Sequence, residues 1–142
     1  MSLIDQMDKP ALIEYLQNRI TNFFPGHLGI EIVDVGSGFL AAQLSVQPFH
    51  MAPNGYLHAG SVITLADTSS GSGCSCHLPD EAKNFTTLEL KSNFLRTTNS
   101  GIVHCMAKMA HGGRRTQIWD ATVTDDQGRT MALFRCTQMI LY

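Results

Sequence analysis

Asn54-Gly55-Tyr56-Leu57-His58-Ala59-Gly60-Ser61-Val62-Ile63-Thr64-Leu65-Ala66-Asp67-Thr68 joins a glycine turn to a helix of apolar and small residues with one carboxylate, Asp67, in its middle. Ala, Gly, Ser and Thr add little bulk, so such a helix can lie close against a sheet, and an acidic side chain there is out of pattern. The helix is predicted to begin near His58. Its first N–H groups, that of Ala59 among them, lack intrahelical partners and sit at the positive end of the helix dipole, which suits an anion or a carbonyl oxygen.

Ala59 and Asp67 are eight residues apart, or about 12 Å along one helix axis. A reacting bond needs its attacking group and its oxyanion donors within roughly 3 Å of a common point. One helix cannot supply both. If two copies pack with these helices antiparallel, Asp67 of each can meet the Ala59 amide of the other, so a two-fold homo-oligomer with paired composite sites is expected.

Outward from this helix the chain divides simply. Residues 3–24 carry apolar positions, with helical spacing from Leu12 through Leu16, Ile20 and Phe23. Asp8 is a suitable N-cap, Pro10 fits the first turn, and Pro25-Gly26 should end the helix. Leu28 to Val35 is β-branched and stops at Gly36-Ser37-Gly38, while Leu40, Ala42, Leu44 and Val46 alternate with Ala41, Gln43, Ser45 and Gln47; the two read as a hairpin. The central helix should run to Cys76. Beyond it, Thr86–Phe94, Val103–Met109, Ile118–Thr124 and Thr130–Leu141 read as strands, with Leu88, Leu90 and Phe94 alternating against Glu89, Lys91 and Asn93, and with a turn at Asp125-Asp126-Gln127-Gly128. Strands segregated in this way indicate an α+β fold, with a curled antiparallel sheet wrapped around the central helix.

At 142 residues the chain is expected to be one domain, 1–142, with 1–26 as an N-terminal helix. A net charge of −2 gives no global attraction to nucleic acid. The N-terminus lacks a basic region followed by an apolar core, and no run is long enough to span a bilayer, so a cytoplasmic protein without membrane partners is expected. Cys74, Cys76, Cys105 and Cys136 follow no disulfide framework and read as reduced, buried thiols. Cys74-Ser75-Cys76-His77 offers too few clustered ligands for a structural zinc, and no metal site is expected.

The turn and helix at 54–68, the run Thr86-Thr87-Leu88-Glu89-Leu90-Lys91-Ser92-Asn93-Phe94-Leu95-Arg96 and the late Asp125-Asp126-Gln127-Gly128-Arg129-Thr130-Met131-Ala132 together resemble the hotdog-fold acyl-CoA thioesterases of the phenylacetate-degradation type, related to the 4-hydroxybenzoyl-CoA thioesterases. The resemblance runs from about Gly29 to the C-terminus. It implies a dimer or tetramer, active sites shared between subunits and no cofactor, coenzyme A being part of the substrate. It places the carbonyl-binding N–H on Ala59, where the family usually has Gly, and the carboxylate, as nucleophile or general base, on Asp67. The supporting hydroxyl falls on Thr87 or Thr86, the upstream Asn on Asn54, and His58 orients the turn or touches the carbonyl.

Hydrolysis of a medium-chain or aromatic acyl-CoA is the function this implies. Burial in an apolar helix should raise the Asp67 pKa. His111-Gly112-Gly113-Arg114-Arg115 is a compact basic turn suited to coenzyme A phosphates, with Arg96 and Lys91 as further cations. As structural readings, Asp67 could bond to Thr64, Thr68 or Ser70, Asn54-Gly55 could be only a turn, and 113–115 could be a solvated hairpin tip. Two rival functions are an enoyl-CoA hydratase or dehydratase, separated by an enoyl-CoA assay, and a non-catalytic acyl-CoA binding module, which would bind coenzyme A esters without releasing thiol.

Overall fold

The computed structural model describes residues 1–142. Three short helices lead the chain: α1 (Leu3–Gln6), α2 (Lys9–Thr21) and α3 (Phe24–His27). Strands β1 (Ile30–Gly36) and β2 (Phe39–Ser45) follow, then helix α4 (Ala59–Cys76) and strands β3 (Asn84–Phe94), β4 (Ile102–Gly112), β5 (Thr116–Thr124) and β6 (Thr130–Leu141). All strand pairs are antiparallel, and the six strands lie in the order β1-β2-β4-β5-β6-β3. Helix α4 packs across one face of this sheet and touches every strand.

The N-terminal segment departs from the expected single helix. Asp8 caps α2 as anticipated, accepting from the Ala11 N–H at 2.9 Å, but α2 ends at Thr21 and Pro25-Gly26 fall inside α3. Proline suits the first turn of a helix, where its missing N–H costs nothing. A Cβ at Gly26 would run into the carbonyls of Ile20 and Thr21, so glycine lets α3 fold back against the end of α2. Gln17 of α2 takes the place of a neighbouring strand on β1: its Oε1 accepts from the Ile32 N–H at 2.8 Å and its Nε2 donates to the Ile30 carbonyl at 3.2 Å.

The small residues of α4 are what let it approach the sheet. A Cβ on Gly73 would stand 2.7 Å from the fully buried ring of Trp119, and one on Gly71 would stand 3.3 Å from Phe85. On β5, Gln117, Trp119, Ala121 and Val123 are buried in strict alternation, and on β6 Phe134, Cys136, Gln138 and Ile140 do the same. Two of those inward positions hold glutamine. Strand β3 does not follow the alternation read from its sequence: Leu88, Leu90 and Phe94 are all exposed, as are Glu89, Lys91 and Asn93. It is one of the two outer strands of the sheet, paired only with β6, and a bulge between Thr87 and Glu89 breaks its register.

Candidate active site

The start of α4 is held by a short loop with its own hydrogen bonds. His58 is the N-cap, and its Nδ1 accepts from the Gly60 N–H at 2.7 Å. Glycine is needed at 60, because a Cβ there would lie 2.9 Å from that same nitrogen. The His58 N–H donates to the His50 carbonyl at 3.0 Å, and the Ser61 hydroxyl donates to the same oxygen at 2.9 Å. His50 is itself buried, its Nδ1 accepting from the Gln47 N–H at 2.9 Å and its Nε2 donating to the Leu28 carbonyl at 2.6 Å.

The Ala59 N–H has no partner within the chain and Ala59 is exposed. It is therefore free to receive a carbonyl oxygen from outside, at the positive end of an 18-residue helix. Asn54 Oδ1 accepts from the Tyr56 N–H at 3.2 Å, a turn-forming bond, and Gly55 has a φ of +87°. Asn54, His58, Ala59 and Arg96 line one cleft of about 410 Å³ together with Tyr56 and Phe94.

Asp67 lies in a different cleft, of about 250 Å³, whose floor is the α4 face carrying Thr68, Gly71, Ser72 and Ser75. Leu16, Arg19 and Ile20 of α2 make one wall, and Phe85 and Thr87 of β3 make the other. Asp67 Oδ1 is buried with no hydrogen-bond partner. The structural alternative of a bond from Thr64 is not realised, since that hydroxyl donates to the Gly60 carbonyl at 2.7 Å. Loss of hydration alone holds the Asp67 carboxyl above its usual range. An unpaired carboxylate poised in a cleft is chemically available, either to take a proton from water or to attack a carbonyl.

Of the two threonines, Thr87 faces this cleft and Thr86 does not line it. Thr87 donates its hydroxyl proton to Gln138 Oε1 at 2.9 Å. Gln138 is completely buried and its Nε2 donates to Cys136 Sγ at 3.3 Å. Neither Gln138 nor His50 was singled out by sequence reasoning. Gln138 could have been found as a polar residue at an inward position of an alternating strand, whereas nothing marks His50 before the loop is seen.

The expected cations do not gather. Arg96 stands beside Ala59, while Arg114 and Arg115 line a separate cleft with Met139, Ile140 and Tyr142. The Arg114 guanidinium lies 5.6 Å from the Tyr142 ring centre, and Tyr142 Oη donates to the Arg114 carbonyl at 2.7 Å. Gly113 donates its N–H to the Thr116 carbonyl at 2.9 Å and lines a further cleft with Arg114 and Gln117. Within one chain, then, the basic turn is structured by the C-terminus and is distinct from the Arg96 cleft. Lys91 is an exposed residue of β3 and lines neither site cleft.

Cys74 and Cys76 are fully buried, and burial pushes their thiols up to about 12 and about 11. Such thiols are poor nucleophiles at neutral pH.

The thioesterase superfamily profile matches residues 54–132, from the turn before α4 into β6. The chain belongs to the thioesterase superfamily. Among its relatives, a 1,4-dihydroxy-2-naphthoyl-CoA hydrolase from Listeria monocytogenes is 35% identical over 111 residues, covering 78% of this chain and 89% of that protein. Thioesterase HI1161 from Haemophilus influenzae has the same fold, with a TM-score of 0.85 and 29% identity over 91% of this chain and 90% of that one. A variant of thioesterase PA1618 from Pseudomonas aeruginosa superposes with a TM-score of 0.87 and 29% identity, covering 99% of each chain. As a member of the superfamily the chain has the hotdog architecture, α4 being the helix that the sheet enfolds.

Proposed function

We propose that this superfamily member hydrolyses the thioester of a medium-chain or aromatic acyl-CoA, in sites formed between two copies of the chain. The observation that carries the reading is the buried, unpartnered Oδ1 of Asp67 in a cleft shared with Thr87. Because Thr87 gives its proton to Gln138, the lone pairs of its oxygen remain to accept. A water between Asp67 and Thr87 would then donate one proton to each, turning its own lone pair toward the thioester carbon. This favours Asp67 as general base. The proton goes to the carboxylate, the water oxygen bonds to the carbonyl carbon, and collapse of the tetrahedral intermediate expels the coenzyme A thiolate.

The oxyanion formed on the way needs donors, and the Ala59 N–H is unpartnered. In one chain Ala59 and Asp67 line different clefts, as expected of two groups about 12 Å apart on one helix. Antiparallel apposition of two α4 helices brings each Asp67 to the other chain's Ala59. Arg96, beside Ala59, is then placed to meet a phosphate of the coenzyme A moiety, with the Gly113-Arg114-Arg115 turn a more distant candidate. The reaction as written needs no metal or other cofactor. Release of free thiol from a panel of acyl-CoA esters tests the reading, with Asp67→Asn as control. Binding of the esters without thiol release from any of them would overturn it.

A further inference from the structure

The cleft beside Asp67 is unlike a channel for a plain hydrocarbon chain. Along α4 the residues that follow Asp67 on the same face are Gly71, Ser72 and Ser75, and Thr68 flanks them. The Ser75 hydroxyl is used locally, donating to the Ser72 carbonyl at 2.7 Å, whereas the hydroxyls of Thr68 and Ser72 bond to nothing in the chain. Arg19, an exposed residue of α2, lines this cleft and, with Ser75, the neighbouring one that holds Asp80 and Glu81. It makes no ion pair, and its guanidinium carbon lies 5.8 Å from the centre of the Tyr15 ring. Asp67 is the only acidic residue lining the cleft, and it sits at the opposite end from Ser75.

An acyl group whose carbonyl lies at Asp67 and whose chain follows α4 reaches Ser72 after five residues and Ser75 after eight, about 7 to 12 Å away. There it meets the free hydroxyl of Ser72 and a cation that makes no ion pair. We infer that the acyl group accepted by this cleft ends in a carboxylate, so that the substrate is the monothioester of a dicarboxylic acid, held at its far end by Arg19. This rests on the reading of the Asp67 cleft as the acyl site. The planar guanidinium matches a carboxylate with two parallel N–H donors. A six-carbon diacid places its carboxylate about 6 Å from the thioester carbon when extended, and the Arg19 side chain closes the remaining gap. Leu16 and Ile20, one turn apart on the same helix, supply apolar wall for the methylenes between.

The experiment compares adipyl-CoA with hexanoyl-CoA, equal in carbon count and differing in the terminal group. For the unaltered protein kcat/KM for adipyl-CoA should exceed that for hexanoyl-CoA by about tenfold or more, as a charge-assisted pair provides. Arg19→Leu should bring the ratio close to one, and Arg19→Lys should keep part of it. A wild-type preference for hexanoyl-CoA, or a ratio unmoved by Arg19→Leu, overturns the inference. If neither ester nor any other is hydrolysed, the thioesterase reading fails. Calorimetric binding of the same two esters then reads Arg19 without turnover: preference for adipyl-CoA that is lost in Arg19→Leu supports the carboxylate site, and equal binding overturns it.

Discussion

The Thr87 hydroxyl donates to Gln138 Oε1 at 2.9 Å, directly across the β3–β6 register, and so enters the Asp67 cleft as an acceptor rather than a donor. Gln138 has no exposure to solvent, so in the proposed reaction it acts through Thr87, as a positioning residue. Replacing it by Leu leaves Thr87 free to turn its proton toward the cleft, where it competes with the water's own donation. Gln138→Leu should lower kcat by about tenfold with little change in KM, the signature of a contact that matters in the transition state. In a Thr87→Val background the same change should add almost nothing further, which a double-mutant cycle reads. Additive losses would place Gln138 outside the mechanism.

Asp67 carries a pH dependence whose sign follows from its burial. Its folded pKa is raised by desolvation, so between the unfolded value near 3.9 and the folded value the native state binds more protons than the unfolded one. Stability contributed by this group is present below the unfolded value and is lost as pH rises through the folded one. At neutral pH the ionised Asp67 therefore opposes folding, and Asp67→Asn should keep or raise Tm while reducing turnover by about a hundredfold or more. The acid limb of kcat/KM should lie above the ordinary carboxylate range. A variant that loses both activity and stability would point to a structural role for the carboxylate.

Helix α4 permits a direct test of the oxyanion donor. His58 has φ −63° and ψ 136°, the extended conformation that suits a residue before proline, and Ala59 is the first helical residue. Its N–H bonds to nothing in the chain. Ala59→Pro should thus fold normally, with circular dichroism and Tm close to those of the parent, and lose about a hundredfold or more in kcat, the usual cost of one oxyanion donor. Unchanged turnover would free this amide from the reaction. Ala59→Gly keeps the N–H and should keep activity.

The architecture was largely legible in the sequence because its signals are local and repeated. The period-two pattern of β2, the small-residue stripe of α4 and the Asp8 cap each reflect one neighbour or one face. Where the reading failed, the cause lay in tertiary geometry. Pro25-Gly26 reads as a stop, yet it builds a turn of helix because glycine fits against the carbonyls of α2. The alternation of Leu88, Leu90 and Phe94 suggests a buried face, but the strand lies at the sheet edge with a bulge between Thr87 and Glu89, and within one chain all three side chains are exposed. For the site, the spacing from Ala59 to Asp67 was enough to separate the two halves. Gln138 was missed because its partner, Thr87, lies 51 positions earlier, and only strand register brings them together.

That separation yields a test independent of any structure of the assembly. If two chains share their sites as proposed, each composite site of a two-fold dimer takes Asp67 from one chain and Ala59 from the other. Asp67→Asn and Ala59→Pro dimers are each inactive at both sites. A mixed dimer of the two has one site with both defects and one with neither, since the intact Asp67 of the Ala59→Pro chain meets the intact Ala59 of its partner. Random exchange makes half the dimers mixed, so co-refolding or co-expression of equal amounts should restore about a quarter of wild-type activity. Sites confined to single chains would give no recovery at all, because every chain then carries one defect. The assay thus separates a shared reaction centre from a self-sufficient one by a yes-or-no result, and the exposed apolar residues of β3, Leu88 and Leu90 among them, are where charge substitutions should block the exchange.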